Sequence, residues 1–214
     1  MSNISRFICF GSSPVAKTKD NNYVAFPDLW AKALGKQCIY NTKLKTSNSK
    51  IARKILTYEY NFTDIVFVSW SALHRYEFRT EQGWHGFGYD TDDETPSMFK
   101  RAWREGPGNY EYTEVFITLQ AMLMAQAFLQ KKQIPYAFSF DTDYLINSYN
   151  FKNPDSYLTS IKNIIDWDKV YLFNNTGFID WAQENNYQCI GNHTTESAHR
   201  CATEYILTNW QKAF

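Results

Sequence analysis

Apolar positions along the chain follow two alternating rhythms. Short apolar runs at Phe7–Phe10, Gln37–Tyr40, Ile65–Ser69 and Tyr136–Phe140, with a weaker one at Val170–Phe173, read as buried strands. Longer stretches with apolar residues three and four apart lie between them. They predict helices at Phe26–Leu34, Ser49–Thr57, Tyr112–Lys132, Ser156–Ile164, Gly177–Asn185 and Thr195–Lys212. The longest carries Val115, Leu119, Met122, Ala125 and Leu129 on one stripe, which suits packing on a sheet; Met122 and Met124 read as core. Strands alternating with crossover helices predict an α/β fold. The expectation is a single three-layer domain with a mostly parallel, flavodoxin-like sheet of about five strands and helices on both faces.

The segment Arg79–Asn109 breaks this rhythm. It holds Gly83, Gly86, Gly88, Pro96, Gly106, Pro107 and Gly108, the acidic run Asp90-Thr91-Asp92-Asp93-Glu94, and Trp84, Phe87, Tyr89 and Trp103. A connection of that length inside a compact domain is more often a lid or binding loop than a plain link. No repeat or linker divides the chain, so residues 1–214 are expected to form one domain with a long loop insertion at about 79–109.

Composition narrows the function classes. The 214 residues carry 22 basic and 22 acidic side chains, so no basic excess announces nucleic acid or an anionic membrane. A local basic run, Lys43, Lys45, Lys50, Arg53 and Lys54, fits a solvated helix face better than a phosphate track. Aromatic residues make up 18% of the chain, a surplus that a large core with exposed loop aromatics absorbs and that a sugar-facing surface could also use. Cys9, Cys38, Cys189 and Cys201 lack CxxC spacing, which predicts reduced thiols. No signal peptide precedes Arg6 and no apolar run approaches a membrane span, so a cytoplasmic chain without a membrane partner is expected. There is no GxGxxG or P-loop. His193 and His199 are six apart, which does not suit a zinc pair on one helix face, and Asp141-Thr142-Asp143 is one of three DxD triplets. The expectation is therefore no cofactor and no metal.

Two short stretches at opposite ends carry the candidate chemistry. Arg6-Phe7-Ile8-Cys9-Phe10 runs into Gly11-Ser12-Ser13, which is how a buried strand delivers a hydroxyl to the rim of a sheet. Gly191-Asn192-His193-Thr194-Thr195-Glu196 enters the last helix, where His193 can act as the base that such a hydroxyl needs. Ser13 also precedes Pro14, an ordinary turn opening, and a helix-entry histidine also serves structure.

The order of these residues resembles the SGNH (GDSL-like) hydrolase superfamily. It most resembles the small SGNH-like proteins of tailed phages and marine bacteria, which typically open on Phe-Gly-Cys-Ser, carry Trp-Ser or Trp-Thr plus an Arg after the third strand, and end with His-Pro-x-x-x-x-His. The resemblance implies Ser13 as nucleophile and His193 as base. Ser12 occupies the place of the usual Asp or Cys. Lys43-Leu44-Lys45-Thr46-Ser47-Asn48 stands where a glycine N–H normally helps hold the oxyanion, with Asn48 as the nearest replacement. Trp70-Ser71 followed by His74-Arg75 stands where an Asn is usual, so Ser71 is a candidate oxyanion donor and Arg75 a candidate anion clamp. His199 falls where a second histidine recurs and is read as packing or support for the site. The final block lacks its Asp: Ile190 sits three residues before His193. In a serine-protease triad, loss of that carboxylate is worth on the order of 10⁴ in turnover, and one lost oxyanion donor a further ~10² to 10³.

The resemblance implies a serine esterase with a degenerate site, acting on a small-molecule ester or an acylated carbohydrate. The alternative is a non-catalytic binding or virion-associated module that keeps the fold; for a phage-encoded chain the compartment would be the host cytoplasm or the virion. A third reading, a metal-dependent glycosyltransferase, rests on Asp141 and Asp143 alone.

Overall fold

The computed structural model describes residues 5–15, 24–42, 46–81, 83–88, 110–190 and 193–214, and at Ser13 and His193 it describes the backbone alone. Lys43, Lys45, the acidic run Asp90–Glu94 and most of the expected long loop lie outside the described residues.

Four strands form one parallel sheet in the order β2-β1-β3-β6: β1 (Arg6–Gly11), β2 (Gln37–Thr42), β3 (Ile65–Trp70) and β6 (Tyr136–Phe140). β3 and β6 are buried along their whole length, as is β1 after Arg6, which is why they read as unbroken apolar runs rather than alternating ones. The side chains divide by parity. Ile8, Phe10, Val66, Val68, Trp70 and Phe138 face α2 (Asn48–Thr57), α3 (Tyr110–Lys131) and α6 (Ser156–Ile164). Phe7, Cys9, Phe67 and Ala137 face α1 (Phe26–Ala33), α7 (Phe178–Glu184) and α8 (Glu196–Asn209). Two helical layers thus sandwich the sheet, the expected three-layer α/β arrangement.

The fifth strand shrinks to a single parallel bridge between Phe138 and Val170. A 3-10 turn at Trp167–Lys169 precedes it, and Asn174 and Asn175 follow with positive φ, so no extended run can develop between them. Helix α3 has the length and apolar composition of a membrane span, contrary to the sequence expectation. Its stripe of Val115, Leu119, Met122, Ala125 and Leu129 is nonetheless fully buried against the sheet.

The start of the expected long loop is a β-hairpin, β4 (Arg75–Thr80) with β5 (Gly83–Gly88). Arg53 of α2 holds it: its guanidinium pairs with Glu77 at 2.9 Å and lies 4.3 Å from the Trp84 ring centre. Two short helices follow β6, α4 (Tyr144–Asn147) and α5 (Tyr149–Lys152), and a two-residue ladder joins β7 (Cys189–Ile190) to β8 (His193–Thr194). All four cysteines are free thiols.

Candidate active site

In an open parallel sheet, ligands bind outside the carboxyl ends of the strands where the strand order reverses. Here β1 lies between β2 and β3, so the reversal falls beside its C-terminus, where Ser12 and Ser13 sit. After Gly11 the chain turns through a 3-10 turn at Ser13–Val15. A Cβ on Gly11 would come within 2.6 Å of Val15 Cγ2 and 3.0 Å of the Ser69 carbonyl oxygen. Glycine is what lets the turn fold back so tightly over the end of β3.

Ser12 is fully buried, and its hydroxyl donates to Oδ2 of Asp141 at the end of β6. The hydroxyl of Ser69, at the end of β3, donates to the other oxygen of the same carboxylate. One buried carboxylate therefore ties together the C-terminal ends of β1, β3 and β6. Burial raises the Asp141 pKa to about 6, although the two hydroxyls and the nearby Arg75 charge act to lower it. The backbone after Asp141 seats α7. The Asp141 carbonyl accepts from Ile179 N at 2.9 Å, and Asp180 Oδ2 accepts from Asp143 N at 2.6 Å. A Cβ on Gly177 would meet the Thr142 backbone at 2.4 Å.

Asn48 opens α2 and is buried. Its Nδ2 donates to Ser71 O at 3.0 Å and to Thr118 Oγ1 at 2.9 Å, while its Oδ1 accepts from Ser71 N at 2.7 Å. Both amide hydrogens are engaged, so the expectation that Asn48 donates to an oxyanion is corrected: Asn48 braces the Ser71 backbone. The Ser71 hydroxyl accepts from Arg75 Nη1 at 2.8 Å, which leaves its own proton available as a donor.

His199 lies in the core between Phe26 and Phe178. Its Nδ1 accepts from Phe26 N at 3.2 Å, which assigns the proton to Nε2, and Nε2 lies 3.1 Å from Thr194 Oγ1. His199 is therefore engaged at both ring nitrogens and anchors Thr194, the residue after His193, to the start of α1. It supports the site and does not line it.

The decisive juxtaposition is one of backbone. β8, which carries His193, packs against the Ser13–Val15 turn, and α7 packs against β8. Segments from opposite ends of the chain thus meet at this rim. Pro14, Ala72, Arg75, Asp141, Thr142 and Asp180 are among the walls of a cleft of about 130 Å³ at this rim. A second cavity of about 360 Å³ shares His74 and Tyr144 with it and adds Leu73, Glu111, Glu114, Asn147 and Ser148. Among the described residues no three His, Cys, Asp or Glu side chains gather as a metal site. Asp141 and Asp180 are cleft residues that the spacing from His193 could not locate. The signal for Asp141 was its position directly after the apolar strand Phe138-Ser139-Phe140.

Solved structures share this fold. The chain superposes on the psychrotrophic esterase EstA of a Pseudoalteromonas species, a structure inhibited by monoethylphosphonate, with a TM-score of 0.52 and 12% identity over 97% of each chain. It superposes on a Bacteroides fragilis protein assigned as an acylhydrolase with a TM-score of 0.52 and 11% identity, over 99% of this chain and 89% of the other. At this level of identity the likeness shows a shared fold. No family model and no curated protein matches the sequence.

Proposed function

We propose that this chain is an SGNH-type serine hydrolase that cleaves esters, with acylated carbohydrates as its substrate class. The observation that carries the reading is the packing of β8 against the Ser13–Val15 turn, at the point where strand order reverses. In the proposed reaction His193 takes the proton of Ser13 Oγ as the oxygen attacks the acyl carbon. The alcohol leaves with that proton, and water then releases the acid from the acyl-serine. The Ser13 N–H and the Ser71 hydroxyl serve as oxyanion donors. Ile190 stands where the family acid would be, so an orienting carboxylate for His193 would have to come from elsewhere in the fold, and without one turnover falls well below that of an intact triad. The larger cavity supports a sugar-like alcohol: the half-exposed Tyr144 ring offers an apolar face beside the polar side chains of Glu111, Glu114 and Asn147.

One observation favours a second reading, a binding module with no hydrolysis: the engaged Asn48 amide and the missing acid remove two parts of the usual machinery at once. Turnover of p-nitrophenyl acetate and of an acetylated sugar by the native chain separates the two. The hydrolase reading predicts slow hydrolysis that Ser13→Ala and His193→Ala each abolish. Native turnover no higher than that of Ser13→Ala would leave the binding module.

A further inference from the structure

Among the described residues Arg75 forms no ion pair: its charge acts on Asp141 through space, without a hydrogen bond to it. The residue is 9% exposed at the cleft wall. Of the five N–H donors of a guanidinium, one is used, from Nη1 to the neutral Ser71 hydroxyl. Nε is buried with no partner. The ion pairs of the described residues join Arg6 to Asp64, Arg53 to Glu77 and Arg200 to Glu196, and none involves Arg75. Asp141 shares the cleft, but both of its oxygens are engaged by Ser12 and Ser69. A charged group almost never stays buried unless it is paired, and an orphaned buried donor marks a place where a partner is missing.

We propose that Arg75 is the seat of an oxyanion-bearing ligand group, a carboxylate, phosphate or sulfate, held in the small cleft between the Ser13–Val15 turn and the start of α7. The proposal depends on the hydrolase reading only for what carries the anion: an ester whose acyl or alcohol part bears an acidic group a few bonds from the scissile carbonyl. A planar fork of N–H donors matches the paired oxygens of such a group. At about 30 Å³ for each water in the liquid, a cleft of about 130 Å³ has room for a carboxylate or phosphate with a water beside it. Burial raises the proton affinity of both carboxyls on the facing wall, Asp141 and Asp180, the direction that eases an anion into the same space.

Inorganic phosphate, sulfate and acetate, titrated separately at constant ionic strength against chloride, test the seat without any turnover. The expected result is a saturable shift of the Arg75 Nε–H signal in the nitrogen–proton spectrum of the native chain, with the strongest anion identifying the ligand's acidic group. Arg75→Lys, which lacks that Nε–H and is followed by the backbone N–H signal of Thr142 in the cleft wall, should bind about tenfold more weakly, because it keeps the charge and loses the fork. No saturable shift with any of the three anions, or equal affinity in Arg75→Lys, overturns the proposal. In a second arm, p-nitrophenyl hemisuccinate should outrun neutral p-nitrophenyl butyrate in the native chain, and that preference should vanish in Arg75→Lys. A chain that binds phosphate through Arg75 yet hydrolyses neither ester refutes the hydrolase reading and leaves the seat standing. A chain that hydrolyses both esters equally and binds no anion does the reverse.

Discussion

Replacing Asp141 by Asn should flatten the pH dependence of stability in a defined window. Asp141 is buried at the junction of β1, β3 and β6, and its pKa rises from an ordinary 3.8 to about 6 in the folded chain, chiefly through burial. Below about pH 4 the group is protonated in both folded and unfolded states and contributes no slope. Between about pH 4 and 6 the folded chain keeps a proton that the unfolded chain releases, so stability falls as pH rises. Above about pH 6 the full penalty of the buried charge is present. At about 1.4 kcal/mol for each pH unit between the two values, the penalty is roughly 3 kcal/mol at neutral pH. Asn keeps the shape and can still bond both Ser12 and Ser69, because one hydroxyl can turn from donor to acceptor. Asp180 and Glu114 are also shifted upward by burial, but they are common to both chains and cancel in the comparison. Urea unfolding of the native chain and Asp141→Asn, from pH 4 to 8, should give curves that converge near pH 4 and separate by roughly 3 kcal/mol in slope-derived difference by pH 7. Parallel curves across that range would refute a charged, buried Asp141.

Other perturbations follow from the same contacts. Gly177→Ala places a methyl 2.4 Å from the Thr142 backbone at a helix entry whose φ of −75° any residue tolerates, so the cost is steric. A loss of about 1–3 kcal/mol is expected, read from the denaturation midpoint, and an unchanged midpoint would contradict the tight seat of α7. Asn48→Ala strips Ser71 N and Ser71 O of their partners in a buried setting and should lower stability by about 2–4 kcal/mol, on the order of two orphaned polar groups. The same measurement decides it, with a loss under about 0.5 kcal/mol, typical of a surface change, as the contrary result.

Much of the fold was legible because burial writes itself into sequence. Phe7–Phe10, Ile65–Ser69 and Tyr136–Phe140 are apolar at nearly every position, since both faces of the sheet are covered. Ser156–Ile164 was bounded correctly at both ends because Asp155 caps it and its apolar stripe is clean. The β4–β5 hairpin was read as loop because Gly83, Gly86 and Gly88 signal turns. The alternation of charge and ring in Arg75-Tyr76-Glu77-Phe78-Arg79 was the strand signal that could have found it. For the site, Ser13 and His193 could be singled out by their places at a strand end and a helix entry. The engagement of Asn48 could not, because it depends on Thr118, which lies 70 residues further along the chain. The Ser12–Asp141 bond spans 129 residues and was equally invisible, since only the sheet order places the ends of β1 and β6 on either side of β3.

The most direct test of the account is covalent labelling with a fluorophosphonate followed by peptide mapping. Such a reagent reacts with a serine only when a base withdraws its proton and donors hold the phosphoryl oxygen. A single adduct on Ser13 is expected, absent in Ser13→Ala and slowed at least about a hundredfold in His193→Ala, in keeping with the ~10² or more that a positioned base contributes. An unlabelled native chain, or an adduct that forms equally fast without the imidazole, would contradict it.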